Sequence, residues 1–413
     1  MPLLVMKFGG TSVASLDRIR RAAKRVGREV AKGYDVIVIV SAMSGKTNEL
    51  EGWVEETSKL YDAREYDAVV SSGEQVTAGL MALTLQEMDV PARSWQGWQV
   101  PLKTNSAHAS ARIEEIGTDA INAKFAEGMK VAGVAGFQGI SPEGRVTTLG
   151  RGGSDTTAVA VACSIGADVC EIYTDVDGVF TTDPNLVPQA GKLGRVSYEE
   201  MLEMASLGAK VLQIRSVKFA MQYSCPIHVR SSFHDGEGTW VVREEEVMEE
   251  LVVSGVTYNR DEAKIRVVGV KDAPGVAAGL LLPFSDAGIV VDMIVQNVSQ
   301  DGSTDLTFTV PRSDYDAALG LAKSSASAVG AKDVEGDTRI AKVSVVGMGM
   351  KDHAGVAARM FQVLGDEGIN IQLITTSEIK ISVLIEEKYT ELAVRALHAA
   401  FVESGAGDPA AEG

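Results

Sequence analysis

The six residues Asp35–Val40, DVIVIV, are apolar from the second onward and show no alternation. A strand with one wet face alternates with period two, so an unbroken apolar run must be covered on both faces, as in a parallel sheet flanked by helices. The same rhythm recurs along the first half of the chain. Leu3–Phe8 is a short apolar run broken by Gly9, Gly10, Thr11 and Ser12, and residues 16–32 follow as an amphipathic helix with a basic face. The DVIVIV strand leaves through the small polar stretch 41–47. Residues 67–71 lead as a further strand into Ser72, Gly73, Glu74 and Gln75, then a helix to about Met88. Strands are also expected at 131–137, 169–174 and 226–231. Strands alternating with helices predict a layered α/β sheet whose ligands lie beyond the carboxyl ends of its strands, where these polar loops fall.

One loop stands out. Residues 147–158 read TTLGRGGSDTTA, with Arg151 and two glycines ahead of an Ala/Val-rich helical pattern. Paired glycines allow a close approach of backbone to a ligand, and Ser154 and Asp155 are good capping residues. A helix N-terminus presents free N–H groups to an anion, and Arg151 adds a planar fork for carboxylate or phosphate. A capped glycine turn before a helix has the same composition.

The chain's 413 residues suffice for two or three domains. Its 39 basic against 56 acidic residues, a net charge of −17, argue against nucleic acid or an anionic membrane as partner. No apolar run reaches membrane-spanning length, and the start MPLLVMKF is too short for a signal peptide. Cys163, Cys170 and Cys225 lack metal-ligand spacing and read as buried thiols in a reducing cytoplasm.

The charge-dense stretch 243–250 (REEEVMEE) marks a domain boundary as a linker or exposed helix. Beyond it the sequence repeats at an offset of 80 residues. Lys271, Asp272, Ala273, Pro274, Gly275, Val276, Ala277 and Ala278 recur as Lys351, Asp352, His353, Ala354, Gly355, Val356, Ala357 and Ala358. Each copy reads strand, turn, helix, strand, then a further strand (290–296 and 305–310; 370–375 and 380–385). That order predicts two ferredoxin-like α+β units, whose interface would suit a ligand.

The chain contains no P-loop, no GxGxxG after its first strand, no HExxH and no GxSxG. What remains is Lys7 beside Gly9 and Gly10, with Lys210, Asp155, Asp175, Glu74 and Arg151. Lysines with glycine amides are what a nucleotide's phosphates need, and phosphoryl transfer asks mainly for positioning and positive charge. The set is coherent for a kinase outside the P-loop class.

KFGGTSV at 7–13, SSGEQ at 71–75, GRGGSD at 150–155 and TDVDG at 174–178 resemble the aspartate kinases of the amino-acid-kinase superfamily, in family order. The repeat resembles the paired ACT domains that follow the catalytic domain there. The resemblance implies an amino-acid-kinase-type layered α/β domain over 1–245, ACT domains over 246–340 and 341–405, and a disordered tail over 406–413. It implies transfer of a phosphoryl group from ATP to L-aspartate, with Mg2+ on the phosphates, as the first step towards lysine, threonine and methionine. Lys7, Phe8, Gly9 and Gly10 would hold the transferring phosphate, and Lys210 would neutralise nucleotide charge. Thr174, Asp175, Phe180, Lys210 and Val211 would line the ATP site, with Asn185 standing where the family often has arginine. Arg151 would clamp the α-carboxylate and Glu74 hold the ammonium. Ser41, Thr47, Gly152, Gly153 and Ser154 would surround the substrate. Asp155 would either organise the lysines or meet the substrate amine. Lys7, Glu74, Asp155 and Lys210 are thus the expected catalytic group. Asp272, Gly275, Ala277, Gln296, Asn297, Asn370 and Ile371 match effector positions for lysine, threonine or both. A homodimer or larger assembly through the ACT domains is implied, with room for a short subunit started internally near Met248. The alternatives are a superfamily kinase for another acceptor, a non-catalytic amino-acid sensor, and a Rossmann dehydrogenase.

Overall fold

The parallel pairing expected of the DVIVIV run is present, and it sets which face each neighbouring side chain takes. In a computed structural model, residues 2–207, 211–247, 252–298, 302–353 and 355–403 are described. The chain divides into two compact units. The first holds Met1–Val179, Lys192–Ser206 and Lys210–Met248, and the second holds Phe180–Gly191, Leu207–Ala209 and Glu249–Gly413.

In chain order the first unit begins β1 (Leu3–Phe8), α1 (Leu16–Ala31), β2 (Asp35–Val40), α2 (Lys46–Thr57), α3 (Ala63–Val70), α4 (Ser72–Glu87) and β3 (Ala92–Trp95). It continues β4 (Leu102–Thr104), β5 (Ile113–Ile116), α5 (Asp119–Ala126), β6 (Val131–Ala135), β7 (Gln138–Ile140) and β8 (Val146–Thr148). Then follow α6 (Gly153–Ile165), β9 (Val169–Thr174), β10 (Arg195–Ser197), α7 (Tyr198–Ser206), α8 (Ile214–Tyr223), β11 (Ile227–Ser231) and β12 (Thr239–Val242).

The main sheet runs β10-β12-β11-β9-β1-β2-β6-β3 and is parallel except between β11 and β12. Successive side chains alternate faces. Met6 and Phe8 of β1, with Val38 and Val40 of β2, therefore join Ile19, Ala23 and Val26 of α1 and Met81 and Leu85 of α4 in one core. Lys7, between Met6 and Phe8, points to the opposite face, where it meets Asp155 of α6. The buried positions of α1, at 19, 22, 23 and 26, leave Arg20, Arg21 and Arg28 exposed, and Ser15 caps its start by accepting from the Arg18 N–H.

Two expectations change. Residues 67–71 are not a strand: they close α3, whose buried positions Asp67 and Val70 are three apart, a helical spacing. Ser154 is not the cap of α6. Gly152 occupies that position in the left-handed region, and Ser154 and Asp155 lie buried in the first turn. A second sheet, β5-β4-β7-β8, was also not expected; strands of three or four residues are too short to show a period.

The second unit contains β13 (Gly255–Asn259), β14 (Ala263–Lys271), α9 (Val276–Asp286), β15 (Asp292–Val298), β16 (Ser303–Val310), α10 (Tyr315–Ala328) and β17 (Asp333–Asp337). After these come β18 (Ile340–Val346), α11 (Val356–Asp366), β19 (Leu373–Thr376), β20 (Lys380–Glu386) and α12 (Thr390–His398). The two sheets, β15-β16-β14-β17 and β19-β20-β18-β13, have the same layout. In the second, the place of β17 is taken by β13, a strand that precedes the whole first repeat. The stretch 255–259, expected with the first repeat, thus completes the second sheet, where it covers an open edge of β18. The segment Phe180–Gly191 also belongs here. Thr181 accepts the Val256 N–H at 2.7 Å and its hydroxyl meets His398 Nε2 at 2.8 Å, while Val187 lies in the second repeat's core. Among the described residues no helix is long and apolar enough to cross a membrane, and all three cysteines are free.

Candidate active site

The ends of β1 and β2 and the start of α6 converge on a small set of charges. Lys7 is 8% exposed and its ammonium lies 2.5 Å from Asp155 Oδ1, in ionic contact without hydrogen-bond alignment. Removing one partner of such a buried pair leaves the other charge buried and uncompensated, which is costly. Immediately beyond Lys7 the chain turns through Gly9, whose N–H donates to the Tyr173 carbonyl at 3.3 Å. A side chain on Gly9 would stand 3.4 Å from the Lys7 ammonium, and one on Gly10 would press on the Ala42 carbonyl at 3.0 Å. The glycines thus leave the space above Lys7 open. Phe8 contributes backbone only: its ring is buried and stacks on Tyr173 at 4.8 Å between centroids.

Glu74 enters from α4. Gly73 makes this possible, because any side chain there would strike the Ala42 methyl as α4 packs onto the exit of β2. Glu74 Oε1 accepts the Ala42 N–H at 3.0 Å, and Oε2 is buried with no partner among the described residues. Burial pushes the Glu74 carboxyl up to about 7, only partly offset by the Ala42 N–H. A buried carboxylate with one unsatisfied oxygen is a receptor for a cation. Ser41 is tied to β1 through its N–H, which donates to the Phe8 carbonyl at 3.1 Å. Thr47 is half-buried in the first turn of α2.

The Arg151 loop is held from behind by residues that carry no motif. Gly150 and Gly152 have φ of 77° and 72°, open to glycine at little cost. A side chain on Gly152 would overlap that of Gln213. Arg215 donates to the carbonyls of Leu149 at 2.6 Å and Ala111 at 2.9 Å. Gly136 lets Ser154 approach β2: a side chain there would come within 3.0 Å of the Ser154 Oγ and Ile39. Arg151 itself is exposed, with no ion pair among the described residues. Sequence reasoning missed Ala42, Gln213 and Arg215, whose roles come from contacts between segments distant in sequence.

Of the expected nucleotide residues, Thr174 and Asp175 sit at the end of β9, directly beside β1, and Val211 is half-buried ahead of α8. Lys210 lies outside the described residues. Phe180 and Asn185 fall in the second unit, where Asn185 is exposed and bonded to Asp183. The expected effector residues lie on the two repeats. Gly275 caps α9 with φ of 89°, Asp272, Ala277, Gln296, Asn297 and Asn370 are exposed, and Ile371 packs on the second repeat's core.

The amino acid kinase family matches residues 2–231, and the ACT domain matches residues 265–323 and 343–401. An aspartokinase from Pseudomonas aeruginosa is 56% identical over 97% of this chain and 98% of its own length. Among solved structures, E. coli aspartokinase III in complex with aspartate and ADP (R-state) superposes with a TM-score of 0.81 and 27% identity, covering 96% of this chain and 99% of that one. The same enzyme in complex with lysine and aspartate (T-state) gives a TM-score of 0.74 at 26% identity over 97% and 99%.

Proposed function

Because the chain belongs to the amino acid kinase family, and within it to the aspartokinases, we propose that it transfers the γ-phosphoryl group of ATP to the β-carboxylate of L-aspartate, giving 4-phospho-L-aspartate and ADP. The observation that carries this reading is the pairing, at the carboxyl ends of β1 and β2, of a glycine-flanked Lys7–Asp155 ion pair with a buried Glu74 oxygen that has no partner among the described residues. The first suits a phosphoryl group and the second an ammonium.

In the step itself one β-carboxylate oxygen attacks the γ-phosphorus. The new O–P bond forms as the bond to the β–γ bridging oxygen breaks, and that oxygen leaves with the electron pair as ADP. Lys7, desolvated and fixed by Asp155, stabilises the charge on the transferring oxygens, aided by the Gly10 amide, while Gly9 leaves room for the phosphoryl group beside Lys7. Lys210 neutralises the nucleotide's phosphates, while Thr174, Asp175 and Val211 form its bed, with backbone from Phe8. Glu74 receives the substrate ammonium and Arg151 its α-carboxylate, inside a wall of Ser41, Thr47, Gly152, Gly153 and Ser154. The exposed Asp175 carboxylate is an oxygen donor of the kind Mg2+ accepts alongside phosphate oxygens. Mg2+ carried with ATP would screen the charge that repels an incoming carboxylate.

The ACT repeats supply regulation, and lysine, threonine or both are the proposed effectors. The lysine-bound E. coli aspartokinase III supports the first of these. Asp272, Gly275, Ala277, Gln296 and Asn297, with Asn370 and Ile371, are the proposed contacts. In this reading the catalytic domain covers 1–245 apart from Phe180–Gly191, which folds with the second unit, the enzyme works in the cytoplasm on the pathway to lysine, threonine and methionine, and it assembles through its ACT domains, with or without a short subunit. ADP release with L-aspartate as acceptor, with and without lysine and threonine, tests the reading. Turnover that depends on aspartate and falls with an effector is expected. Absence of turnover alongside effector binding would replace it with the sensor alternative.

A further inference from the structure

Asp67 carries a carboxylate that is 0% exposed and that no step of the proposed reaction uses. It lies on α3 and is surrounded by donors from two other segments. His108 Nδ1 is 2.6 Å from its Oδ2, and the Thr148 hydroxyl donates to its Oδ1 at 2.6 Å. The Ala109 N–H is shared between both oxygens at 3.0 and 3.2 Å. One carboxylate therefore ties together α3, the 105–110 loop and the end of β8.

Each tied segment leads to a residue assigned to the amino-acid substrate. Thr148 is two residues ahead of Gly150, which opens the Arg151 loop. Ala109 holds φ of 66°, a strained conformation for alanine, and its carbonyl lies 3.3 Å from where a side chain on Gly150 would begin. On the other side, α3 passes through Ser71 directly into α4, which carries Glu74. The Gln138 amide donates to the Ser71 carbonyl at 3.0 Å and fixes that joint. If packing alone were needed at this junction, an apolar residue would fill it without the cost of burying a charge. A carboxylate saturated with hydrogen bonds does something more specific: it fixes the relative positions of its donors.

We propose that Asp67 is a positioning residue that sets the distance between the Glu74 wall and the Arg151 wall, and so selects an acceptor whose ammonium and carboxylate hang from one carbon. The proposal rests on the assignment of Glu74 and Arg151 to the substrate's α-amino and α-carboxylate groups. Two groups held on one carbon demand a fixed separation of their receptors, and a shift of about 1 Å is enough to lose most of the productive geometry.

The test is steady-state kinetics of the full chain with ATP and L-aspartate for D67N, T148V, T148S and H108A, with melting curves recorded in parallel. D67N and T148V are expected to raise the aspartate KM by about tenfold or more while the ATP KM stays within about twofold, and T148S is expected to stay near wild type. If D67N fails to fold, T148V and H108A carry the same comparison. Aspartate KM values within twofold of wild type, or aspartate and ATP KM values rising together, would overturn the proposal while leaving the kinase reading intact. A wild-type enzyme that does not consume ATP with aspartate would overturn both.

Discussion

At the scale of single residues, the paired charge of Lys7 and Asp155 and the unpaired charge of Glu74 make opposite demands. Lys7→Ala should lower kcat by about 100-fold or more, since it removes a fixed positive charge from the transferring group. It should also cost about 3–5 kcal/mol of stability, because Asp155 is left buried and unpaired. Adding Asp155→Asn should restore the melting temperature without restoring turnover, and recovery of both would contradict the assigned role. Glu74 behaves differently. The folded state holds its proton more tightly than the unfolded chain, with a value of about 7 against 4.5. Between those values unfolding releases a proton, so stability falls as pH rises, and above the upper one the loss is complete at about 3 kcal/mol. Glu74→Gln should abolish that slope and be more stable than wild type at about pH 8, as denaturant titrations at several pH values would show. The ionised carboxylate is the form that pairs with an ammonium, so the wild-type aspartate KM should fall as pH rises from about 6 to about 8. A flat profile would remove Glu74 from that role.

At the scale of elements, the site depends on helices and strands brought close by small residues. The first turn of α6 is buried at Gly153, Ser154 and Asp155, and Gly152 precedes it with a positive φ against the Gln213 side chain. Gly152→Ala meets both obstacles. The backbone penalty alone is about 1–2 kcal/mol, and the overlap must push away either Gln213 or the Arg151 loop. The expected result is a lower melting temperature together with a raised aspartate KM. Gly144→Ala provides the control, since its φ of 74° carries a similar backbone penalty with open space around it. Equal effects of the two on the aspartate KM would mean that Gln213 does not brace the loop.

At the scale of the whole molecule, chain order and spatial grouping diverge. Phe180–Gly191, which follows β9 in sequence, folds with the ACT unit, and β13 completes a sheet whose other strands lie more than eighty residues further on. Effector control should therefore be separable from catalysis by mutation within the repeats. Asp272→Ala or Gln296→Ala, both at exposed positions, should leave uninhibited kcat within about twofold and weaken inhibition by lysine or threonine by about tenfold or more. Dose–response curves for each amino acid, alone and together, check this. Unchanged curves would place the effectors elsewhere.

Much of this was legible in the chain itself. The unbroken apolar run of β2 dictated a parallel sheet, because an apolar face cannot be left in water. The 80-residue offset announced two similar units, and the glycine-flanked Lys7 and Arg151 marked the strand ends where chemistry is placed. Other features had no local signal. Residues 67–71 read as apolar strand, yet they end a helix because Asp67 finds its donors on segments some 40 and 80 positions away. Gly152 rather than Ser154 caps α6, because the loop must turn through left-handed backbone against Gln213. The layout of the second ACT sheet was likewise hidden, since either β13 or a later strand could cover the edge of β18. Local sequence sets periodicity, turns and charge, so it determined the elements and their chemistry. Which donor meets Asp67, which oxygen of Glu74 stays unpaired and which strand closes a sheet depend on long-range packing, and only the tertiary structure decided them.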